Sequence, residues 1–562
     1  MMWLALRRFP IAVLLTLTAW CAAIGCAVAA SPADDYVYVA QPGDTVIGLS
    51  QRLLREPAQW RRVAEHNRMS NPNRVSPAQQ IRIPLDLLRM APGTATVTST
   101  VGDVNVSGSA PSSATVAAVA TLGATLAEGA EVVTGKNGYA TLKLADGSTV
   151  RVQADSRVQV SRLRSYPDTG ILESLFNVVA GRVESLIEKL GGTASPPRHT
   201  IQTRLGSMGL RGTAFRVTMD DKAGQARSEV LTGVVAVAAA GDAADGKRVN
   251  AGFGTVVEAS GAVLDPIALL PAPQTARLPA LMERPLLRFS LTAMEGARAY
   301  RAQLARDPEF NNVVAEALTT SPELRFTDVV DGSYYLRVRA VDARGLEGKD
   351  ATHAFLLKAR PEPPLISAPL SKGKVRSKDV EFRWSENIEA AAYHLQVARD
   401  AGFKSLVHEN KAVKGAMATV ADLPLGDYFW RVASLRKDGD RGPYGDVSSF
   451  SLLAPPAQPE PPGVGSDAVQ FRWAGEPGQK FEFQMADNAQ FAKPLVSRNL
   501  DKSALDLPRP GPGTYFMRFR AIDPDGFVGP YSSAQRFAVP PCIADSTGRC
   551  VNSSFGIVAP VQ

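Results

Sequence analysis

The segments Leu287-Arg288-Phe289-Ser290, Phe382-Arg383-Trp384-Ser385 and Phe471-Arg472-Trp473-Ala474 recur in the second half of the chain, 95 and then 89 residues apart. Each copy later contains an Asp and a Phe, and then a glycine that opens an aromatic-rich segment with alternating apolar residues. Alternation of this kind predicts β-strands with one buried face. The spacing therefore predicts three copies of one β domain.

The three copies resemble fibronectin type III domains, which implies β-sandwiches over residues 280–360, 361–455 and 456–540. In such a sandwich we expect an aromatic residue buried on an early strand and a tyrosine on a late strand. These residues are Phe289, Trp384 and Trp473, followed by Tyr334, Tyr428 and Tyr515. Pro-rich stretches at 361–364 and 455–462 predict stiff spacers.

Two Pro-Tyr pairs, Pro443-Tyr444 and Pro530-Tyr531, follow glycines at corresponding places in the second and third copies. A binding loop is one interpretation. The corner pattern of such sandwiches explains both pairs without a ligand.

Residues 91–270 contain short β-type runs separated by glycine turns. Residues 91–120 are rich in Ala, Ser, Thr, Val and Gly. They begin as a linker over 91–101, and we expect the first strand at Gly102-Asp103-Val104-Asn105-Val106. Three further segments resemble the FecR-type periplasmic domain: Thr134-Gly135-Lys136-Asn137-Gly138-Tyr139-Ala140, Leu144-Ala145-Asp146-Gly147-Ser148, and the stretch from Met208 to Val217 around Arg211-Gly212-Thr213. Regulators with this domain usually also carry a cytoplasmic anti-sigma segment, which we do not recognise here. We therefore do not expect transcriptional signalling to transfer.

Residues 31–90 read as strand, helix, helix, strand. Tyr36-Val37-Tyr38-Val39 predicts a strand, Asp44-Thr45 a helix start, Glu56-Pro57 a second helix start, and Gln80-Ile81-Arg82-Ile83-Pro84 a closing strand. Gln41-Pro42-Gly43-Asp44-Thr45, with Trp60 and Asn67, completes a pattern that resembles the LysM family. That resemblance implies binding of peptidoglycan or another polymer that contains N-acetylglucosamine.

By this resemblance, two loops form the walls of the sugar groove and supply hydrogen bonds and apolar contact. The predicted glycan-binding residues are Gly43, Asp44, Thr45, Val46, Asn71, Pro72, Asn73, Arg74 and Val75. Helix capping by Asp44 and Thr45 is the plainer interpretation and is compatible with binding. The family usually has glycine where Ala78 stands, so a turn with positive φ there is strained. Between Asp44 and Arg89, eight arginines against four carboxylates predict either a solvated face or attraction to acidic wall peptides.

The first thirty residues indicate a cleavable export signal, with Arg7-Arg8, an apolar run from Ile11 to Ala19, and small residues before position 30. An uncleaved anchor and lipid attachment at Cys26 are alternatives. Cleavage leaves Cys542 and Cys550, which in an oxidising compartment predict a disulfide within the tail, residues 541–562. We therefore expect a periplasmic or envelope location.

Net charge is +7, which suits an anionic partner, and export makes nucleic acid the least favoured one. We find no metal-ligand spacing, phosphate loop or nucleophile elbow, and so we expect neither cofactor, metal nor catalysis. The histidines are His66, His199, His353, His394 and His408, and they are scattered along the chain. Glu173, Glu184 and Glu188 could pair as acid and base, but we interpret them as part of a solvated segment.

These observations predict a multidomain, mainly β protein: a βααβ module, a β-rich domain and three sandwiches. We expect a non-catalytic scaffold that binds peptidoglycan and presents its β domains to an unidentified envelope protein. The alternative is an envelope sensor that acts through a membrane partner. No apolar stretch after residue 30 is long enough to predict a transmembrane helix.

Overall fold

The computed structural model describes residues 35–108, 118–187, 198–211, 214–241, 246–543, 545–546, 550–553 and 556–557. These residues form a small helical module, a β barrel and three two-sheet sandwiches in chain order. The predicted fold class, multidomain and mainly β, is therefore confirmed. The predicted signal peptide and Cys26 lie outside the described residues.

The amino-terminal module, residues 35–90, has the predicted order β-α-α-β. Its elements are β1 (Asp35–Val39), α1 (Val46–Leu53), a 3-10 helix (Pro57–Gln59), α2 (Trp60–His66), β2 (Gln80–Pro84) and a second 3-10 helix (Leu85–Leu87). Strands β1 and β2 are antiparallel, with Asp35 opposite Pro84. Helix α1 begins after Thr45, whose Oγ1 accepts a hydrogen bond from the Gly48 N–H at 3.0 Å, as an N-cap does.

The module and the barrel share one apolar core. Tyr166 and Ile171, which belong to a hairpin of the barrel, are buried among Leu87, Leu88 and other apolar residues of the module. Because this core is continuous across the boundary, the module is held against the barrel by apolar burial as well as by the chain itself.

Eighteen strands among the described residues close into the barrel. They are β3 (Ala91–Pro92), β4 (Ala95–Val101), β5 (Val104–Ser107), β6 (Ala118–Val119), β7 (Thr125–Leu126), β8 (Glu131–Thr134), β9 (Tyr139–Leu144), β10 (Thr149–Val152), β11 (Arg157–Tyr166), β12 (Ile171–Leu186), β13 (Arg198–Gln202), β14 (Gly206–Arg211), β15 (Ala214–Asp220), β16 (Gln225–Val230), β17 (Val234–Ala239), β18 (Lys247–Asn250), β19 (Phe253–Glu258) and β20 (Ile267–Ala268).

The long strand β12 belongs to both sheets of the barrel. Its first half pairs with β11 and β13, and its second half pairs with β10 and β15. The change occurs at Gly181, where φ is +87° and an added Cβ would lie 2.5 Å from the Asp155 carbonyl oxygen. Only glycine fits this position without a shift of the backbone. Valine, leucine and phenylalanine side chains from both sheets fill the space between them.

The linker predicted for residues 91–101 is wrong. This segment forms β3 and β4, and β4 pairs with β9 while Ala95 and Val97 are buried in the barrel core. The small and β-branched residues that suggested a linker also suit a strand with one buried face.

The first sandwich contains β21 (Leu281–Met282), β22 (Leu287–Ser290), β23 (Ala299–Ala305), β24 (Val313–Thr319), β25 (Glu323–Phe326), β26 (Gly332–Val341) and β27 (Ala351–Leu357). The second contains β28 (Ile366–Ala368), β29 (Gly373–Arg376), β30 (Asp379–Trp384), β31 (Ala392–Ala398), β32 (Leu406–Val413), β33 (Met417–Ala421), β34 (Gly426–Leu435), β35 (Arg441–Tyr444) and β36 (Ser448–Leu453). The third contains β37 (Gly463–Val464), β38 (Ala468–Arg472), β39 (Lys480–Ala486), β40 (Val496–Leu500), β41 (Ala504–Pro508), β42 (Gly513–Ile522) and β43 (Gln535–Val539).

Each sandwich has a larger sheet with the same central pair of strands: β23–β26, β31–β34 and β39–β42. The aromatic residues of the early strands are buried in all three cores. The tyrosines also play one part throughout, because the hydroxyls of Tyr334, Tyr428 and Tyr515 each donate to a backbone carbonyl four residues earlier. This is the tyrosine corner of β-sandwiches.

Ion pairs cross both junctions between sandwiches. Arg284 pairs with Asp446 between the first and second, and Arg376 lies 3.2 Å from Asp523 between the second and third. After the third sandwich, β44 (Asn552–Ser553) pairs with β45 (Gly556–Ile557). In the tail, Cys542 and Cys550 form a disulfide with their Cα atoms 5.5 Å apart.

Candidate functional site

The predicted glycan site consists of two loops of the amino-terminal module that lie side by side. The Val46 N–H donates to the Pro72 carbonyl oxygen at 3.0 Å, which joins the loop before α1 to the loop after α2. Gly43, Asn71 and Asn73 are exposed along the gap between the loops. Gly43 has a φ of +90°, and an added Cβ would meet no atom within 4 Å. Open space therefore lies beside the backbone at this position.

Internal hydrogen bonds occupy several of the predicted contacts. The Asp44 N–H donates to Gln41 O at 3.1 Å, and the Val46 N–H donates to Pro72 O. Val46 is also fully buried, so it supports the loop and offers no surface to a sugar. Among the described residues, the N–H groups of Gly43 and Thr45 have no protein acceptor. These two donors and the exposed amides of Asn71 and Asn73 are the groups that remain for a ligand.

Asp44 does more than begin a helix. Its Oδ2 accepts the Gln41 N–H at 2.7 Å and the Tyr38 hydroxyl at 2.9 Å, and Arg52 Nη2 donates to that hydroxyl at 2.8 Å. The carboxylate therefore organises the turn and links it to strand β1 and helix α1. Sequence reasoning predicted the residue but not this chain of hydrogen bonds.

The second loop is fixed from within. Asn71 Oδ1 accepts the Asn73 N–H at 3.0 Å, and Arg74 N–H lies 3.3 Å from Asn71 O. The Arg74 side chain is exposed, whereas Val75 is half-buried against the module core. Ala78 has a φ of +64°, which is the conformation expected for the turn that usually contains glycine. The strain expected at this alanine is therefore present.

Most arginines of the module are available to solvent or to an anion. In the described residues one of them forms an ion pair, Arg62 with Asp86 at 3.3 Å, and both side chains are more than half exposed. His66 is the last residue of α2, and its Nε2 lies 2.8 Å from Asp35 Oδ2. An exposed pair such as Arg62–Asp86 contributes little to stability, so these charges are free to interact with a ligand.

A second concentration of functional groups lies between the barrel and the first sandwich, where sequence reasoning did not place one. The outer face of β10, β12, β15 and β16 packs on the outer face of β23, β24 and β26, and ten charged side chains form ion pairs between them. They are Arg182, Glu184, Arg216 and Glu229 from the barrel, and Arg301, Glu316, Arg337, Arg339, Glu347 and Asp350 from the sandwich. Arg151 of β10 also faces the sandwich, where its Nε donates to Asn311 Oδ1 at 2.9 Å.

Glu184 lies at the centre of this interface. Its Oε2 is 3.2 Å from Arg337 Nη1, its Oε1 accepts a hydrogen bond from Arg339, and its side chain is 9% exposed. Burial by itself would raise the pKa of Glu184, but the charges of Arg337 and Arg339 outweigh burial and lower it strongly. The prediction of a solvated segment is therefore wrong for Glu184. Glu173 instead pairs with Arg162 at 2.7 Å, and Glu188 lies outside the described residues.

Alternation of charged and apolar residues in the sequence is the one indication of this interface. The strand β12 places Arg182 and Glu184 on one side and Val183 on the other, and β26 alternates Arg337 and Arg339 with apolar residues. Alternation shows that these charges share a sheet face. It does not show that another domain covers that face.

A buried serine–histidine–aspartate cluster lies inside the barrel. His199 Nε2 is 2.8 Å from Asp146 Oδ2, and His199 Nδ1 is 2.5 Å from Ser174 Oγ. Burial would raise the pKa of Asp146, but the hydrogen bond and charge of His199 outweigh it and lower the pKa. All three side chains are at least 93% buried. A nucleophile in this position has no access to substrate, so the cluster acts as a polar clamp between β13, β12 and the Asp146 turn.

No group of three histidine, cysteine, aspartate or glutamate side chains in the described ranges is placed to hold a metal ion. Within the same ranges, no helix has the length and apolar character that crossing a membrane requires.

Comparison with known proteins identifies one family. Residues 130–236 match the family described as FecR protein. This match contains β12 and most of the barrel, including the Asp146–His199 cluster and the charged outer face at Glu184. The chain therefore contains a FecR family domain. No curated protein matches the chain.

Solved structures give weak overall similarity. Two crystal structures of a putative anti-sigma factor from Parabacteroides distasonis ATCC 8503 are 17% and 18% identical, each with a TM-score of 0.20. The alignments cover 25% of this chain and 59% of those chains, so the chain spans about three-fifths of their length. A structure of the chicken CNTN1 FN1-FN3 domains is 14% identical, covers 48% of this chain and 98% of its own, and also has a TM-score of 0.20.

Proposed function

We propose that the protein is a non-catalytic component of the bacterial cell envelope. In this proposal the amino-terminal module is a LysM-like domain that binds glycan containing N-acetylglucosamine, such as peptidoglycan. The barrel and the three fibronectin type III-like sandwiches form an arm that meets another envelope protein. An export signal within residues 1–30 takes the chain to the periplasm.

One observation carries the glycan proposal. The hydrogen bond from the Val46 N–H to Pro72 O holds two exposed loops together, with open space at Gly43 and with the N–H groups of Gly43 and Thr45 unpaired among the described residues. Backbone donors and exposed side-chain amides suit the acetamido and hydroxyl groups of a neutral amino sugar. Because these groups are uncharged, binding to chitin oligomers should depend weakly on salt.

The test uses the full chain and a substitution that adds atoms to the gap. Gly43→Asn places a side chain in the open space, and asparagine tolerates positive φ better than other residues. We expect at least a roughly tenfold loss of affinity for chitin oligomers by calorimetry, about 1.4 kcal/mol. Asp86→Asn, which removes the exposed pair with Arg62 in the same module, is the matched control. Unchanged affinity in Gly43→Asn, with the fold intact by circular dichroism, would reject this groove.

Retention on purified sacculi is the second readout. Deleting the whole module would expose Tyr166 and Ile171, which it covers, so the point variant is the cleaner comparison. Loss of retention in Gly43→Asn together with normal retention in Asp86→Asn supports attachment through the loops. Equal retention of both variants would mean that another part of the chain binds the wall.

The FecR match favours a second candidate function, an envelope sensor that acts through a membrane partner. In that case the barrel, and not the glycan module, holds the decisive contact. Photo-crosslinkers placed at exposed barrel positions in living cells distinguish the two. Repeated recovery of one membrane protein from the barrel, unaffected by Gly43→Asn, supports the sensor; products from the sandwiches alone support the scaffold.

A further inference from the structure

Among the described carboxylates of the barrel–sandwich interface, Glu229 is the one with a buried oxygen that accepts no hydrogen bond. Its side chain is 1% exposed. Its Oε1 accepts the backbone N–H of Glu347 at 3.2 Å, while its Oε2 has no hydrogen-bond partner. Burial of an ionised carboxylate is costly unless the charge is paired and hydrogen-bonded. The position therefore favours a neutral, protonated acid.

The nearest arginine is committed elsewhere. Arg216, opposite Glu229 on the neighbouring strand, donates Nη2 to the carbonyl oxygens of Glu347 and Gly348, both at 2.8 Å, and Nη1 to Asp350 at 3.2 Å. Its Nε lies 3.7 Å from Glu229 Oε2, beyond hydrogen-bond length, and has no partner of its own. Arg216 thus holds the sandwich loop 347–350 and leaves Glu229 Oε2 without a hydrogen bond.

The remaining neighbours add repulsion as well as attraction. The Glu347 carboxylate approaches from the sandwich and is already paired with Arg301 and Arg339, at 2.6 and 2.9 Å. On the neighbouring strand β19, the residue opposite Glu229 is Gly254, which carries no charge. The charged side chains that act on Glu229 are Arg216, Glu347 and Arg339. Arg227 lies two residues away on the same face of β16, and its Nε donates to the Arg344 carbonyl oxygen of the sandwich.

We propose that Glu229 is a proton-responsive latch: when it is neutral, the barrel and the loop 347–350 of the first sandwich stay closed, and when it ionises, this contact loosens. The inference rests on the interface alone and is independent of glycan binding. Burial, together with the Glu347 charge and against the attraction of Arg216, raises the pKa of Glu229 to about 7. A shift of this size places the transition near neutral pH.

Proton linkage determines the direction in which the contact changes with pH. Because the folded-state pKa is raised from the ordinary 4.5, the contribution of Glu229 is fully present below about pH 4.5 and is lost as pH rises through about 7. The latch is therefore tighter in mildly acidic solution. With these two values, the population ratio of closed to open contact should fall by at least about tenfold between pH 5.5 and pH 8.

Hydrogen exchange of the full chain tests the latch. The protection of the Glu347 and Gly348 amides, corrected for the intrinsic rate at each pH, is measured at pH 5.5 and pH 8. The wild type should lose protection by at least about tenfold. Glu229→Gln keeps the shape and the neutral state, and it should show strong protection at both pH values. Glu309→Gln, at an exposed carboxylate of the same sandwich, should behave as the wild type does.

Two results would overturn the proposal. One is constant protection of the wild type across this range; the other is a pH dependence in Glu229→Gln equal to that of the wild type. Thermal unfolding at pH 5.5 guards against a folding defect, because a correctly folded Glu229→Gln should match the wild type there. If glutamine weakens the fold at pH 5.5, Glu229→Leu provides a second neutral side chain, and a retained pH dependence in it would also reject the latch.

Discussion

The outer sheet faces of the first and third sandwiches carry the same three side chains in different surroundings. In each, an arginine donates to a glutamine on the neighbouring strand and lies over a phenylalanine ring. The sets are Arg337, Gln303 and Phe310 in the first sandwich, and Arg518, Gln484 and Phe491 in the third. In the first sandwich the barrel covers this set, whereas in the third Arg518 and Gln484 remain half-buried and only Phe491 of the set is buried.

The two sandwiches differ most at one position, two residues after Gly348 in the first and two residues after Gly529 in the third. The first sandwich has Asp350 there, which joins the buried network through Arg216 and Arg339. The third has Tyr531, whose ring lies 4.0 Å from the Arg518 guanidinium and whose hydroxyl donates to Glu482 at 2.5 Å. Tyr531 covers the arginine from within the domain, as Tyr444 covers Arg431 in the second sandwich at 4.0 Å. The same sheet face therefore docks on another domain in the first sandwich and is covered by a tyrosine of its own domain in the second and third.

The largest expected effect separates Arg339 from its counterpart Arg520. Arg339 is 2% exposed and contacts Glu184, Glu347 and Asp350, so Arg339→Ala leaves buried carboxylates without compensation. We expect a loss of about 3–5 kcal/mol. Arg520 is 33% exposed and pairs with Glu482, so Arg520→Ala should cost at most about 1 kcal/mol.

Urea denaturation of the full chain, with the transitions assigned to domains by hydrogen exchange, measures both losses. Equal losses in the two variants would break the comparison, since they would mean that burial by the barrel contributes nothing at Arg339. A small loss at Arg339 with a large one at Arg520 would mean that the domain contact does not persist in solution.

Acidification should destabilise the buried face of the first sandwich more than the exposed face of the third, and this difference should be smaller than the one between Arg339 and Arg520. The lowered pKa of Glu184 means that its contribution is present above its ordinary value of 4.5 and is lost as pH falls through the folded-state value. Between pH 5 and pH 3 the wild-type barrel–sandwich contact should weaken, and Glu184→Gln should weaken less while being less stable at pH 6. Thermal unfolding across this range is the measurement.

Glu482 in the third sandwich is the matched site. Burial would raise its pKa, but the hydrogen bonds of Tyr531 and Arg520 outweigh burial and lower it. Since Glu482 is more exposed than Glu184, Glu482→Gln should change the acid dependence less. An acid dependence that is equally sensitive to both substitutions would show that the two carboxylates have similar surroundings.

The sequence predicted what depends on local pattern. The repeat of Phe289, Trp384 and Trp473 predicted three sandwiches with buried aromatic residues, and the structure buries all three. The capping role of Thr45 follows from its position before an apolar helix. Periodicity assigns each side chain to a face, which is sufficient for residues whose partners lie in the same domain.

Contacts between domains could not be predicted in this way. Glu184 was interpreted as solvated because charged residues on a strand usually face water, and only the docked sandwich makes its surroundings apolar and arginine-rich. The resemblance to LysM places Val46 in the wall of the sugar groove, and the structure adds that its N–H donates to the Pro72 carbonyl oxygen, 26 residues away. Both contacts involve partners that are distant in sequence, which composition and spacing do not identify.

The smallest expected effect tests whether the sandwiches are alike inside. Tyr334 and Tyr428 are both buried, and each hydroxyl donates to a backbone carbonyl of the preceding loop. Tyr334→Phe and Tyr428→Phe should each cost about 1 kcal/mol, the usual net value of one hydrogen bond. Tyr515 is less buried, so Tyr515→Phe should cost less, because water replaces the lost partner of the carbonyl more easily. Unfolding midpoints of the individual domains give all three values. A much greater cost for Tyr334 than for Tyr428 would show that docking on the barrel alters the interior of the first sandwich, and the difference between the faces would then not be confined to the surface.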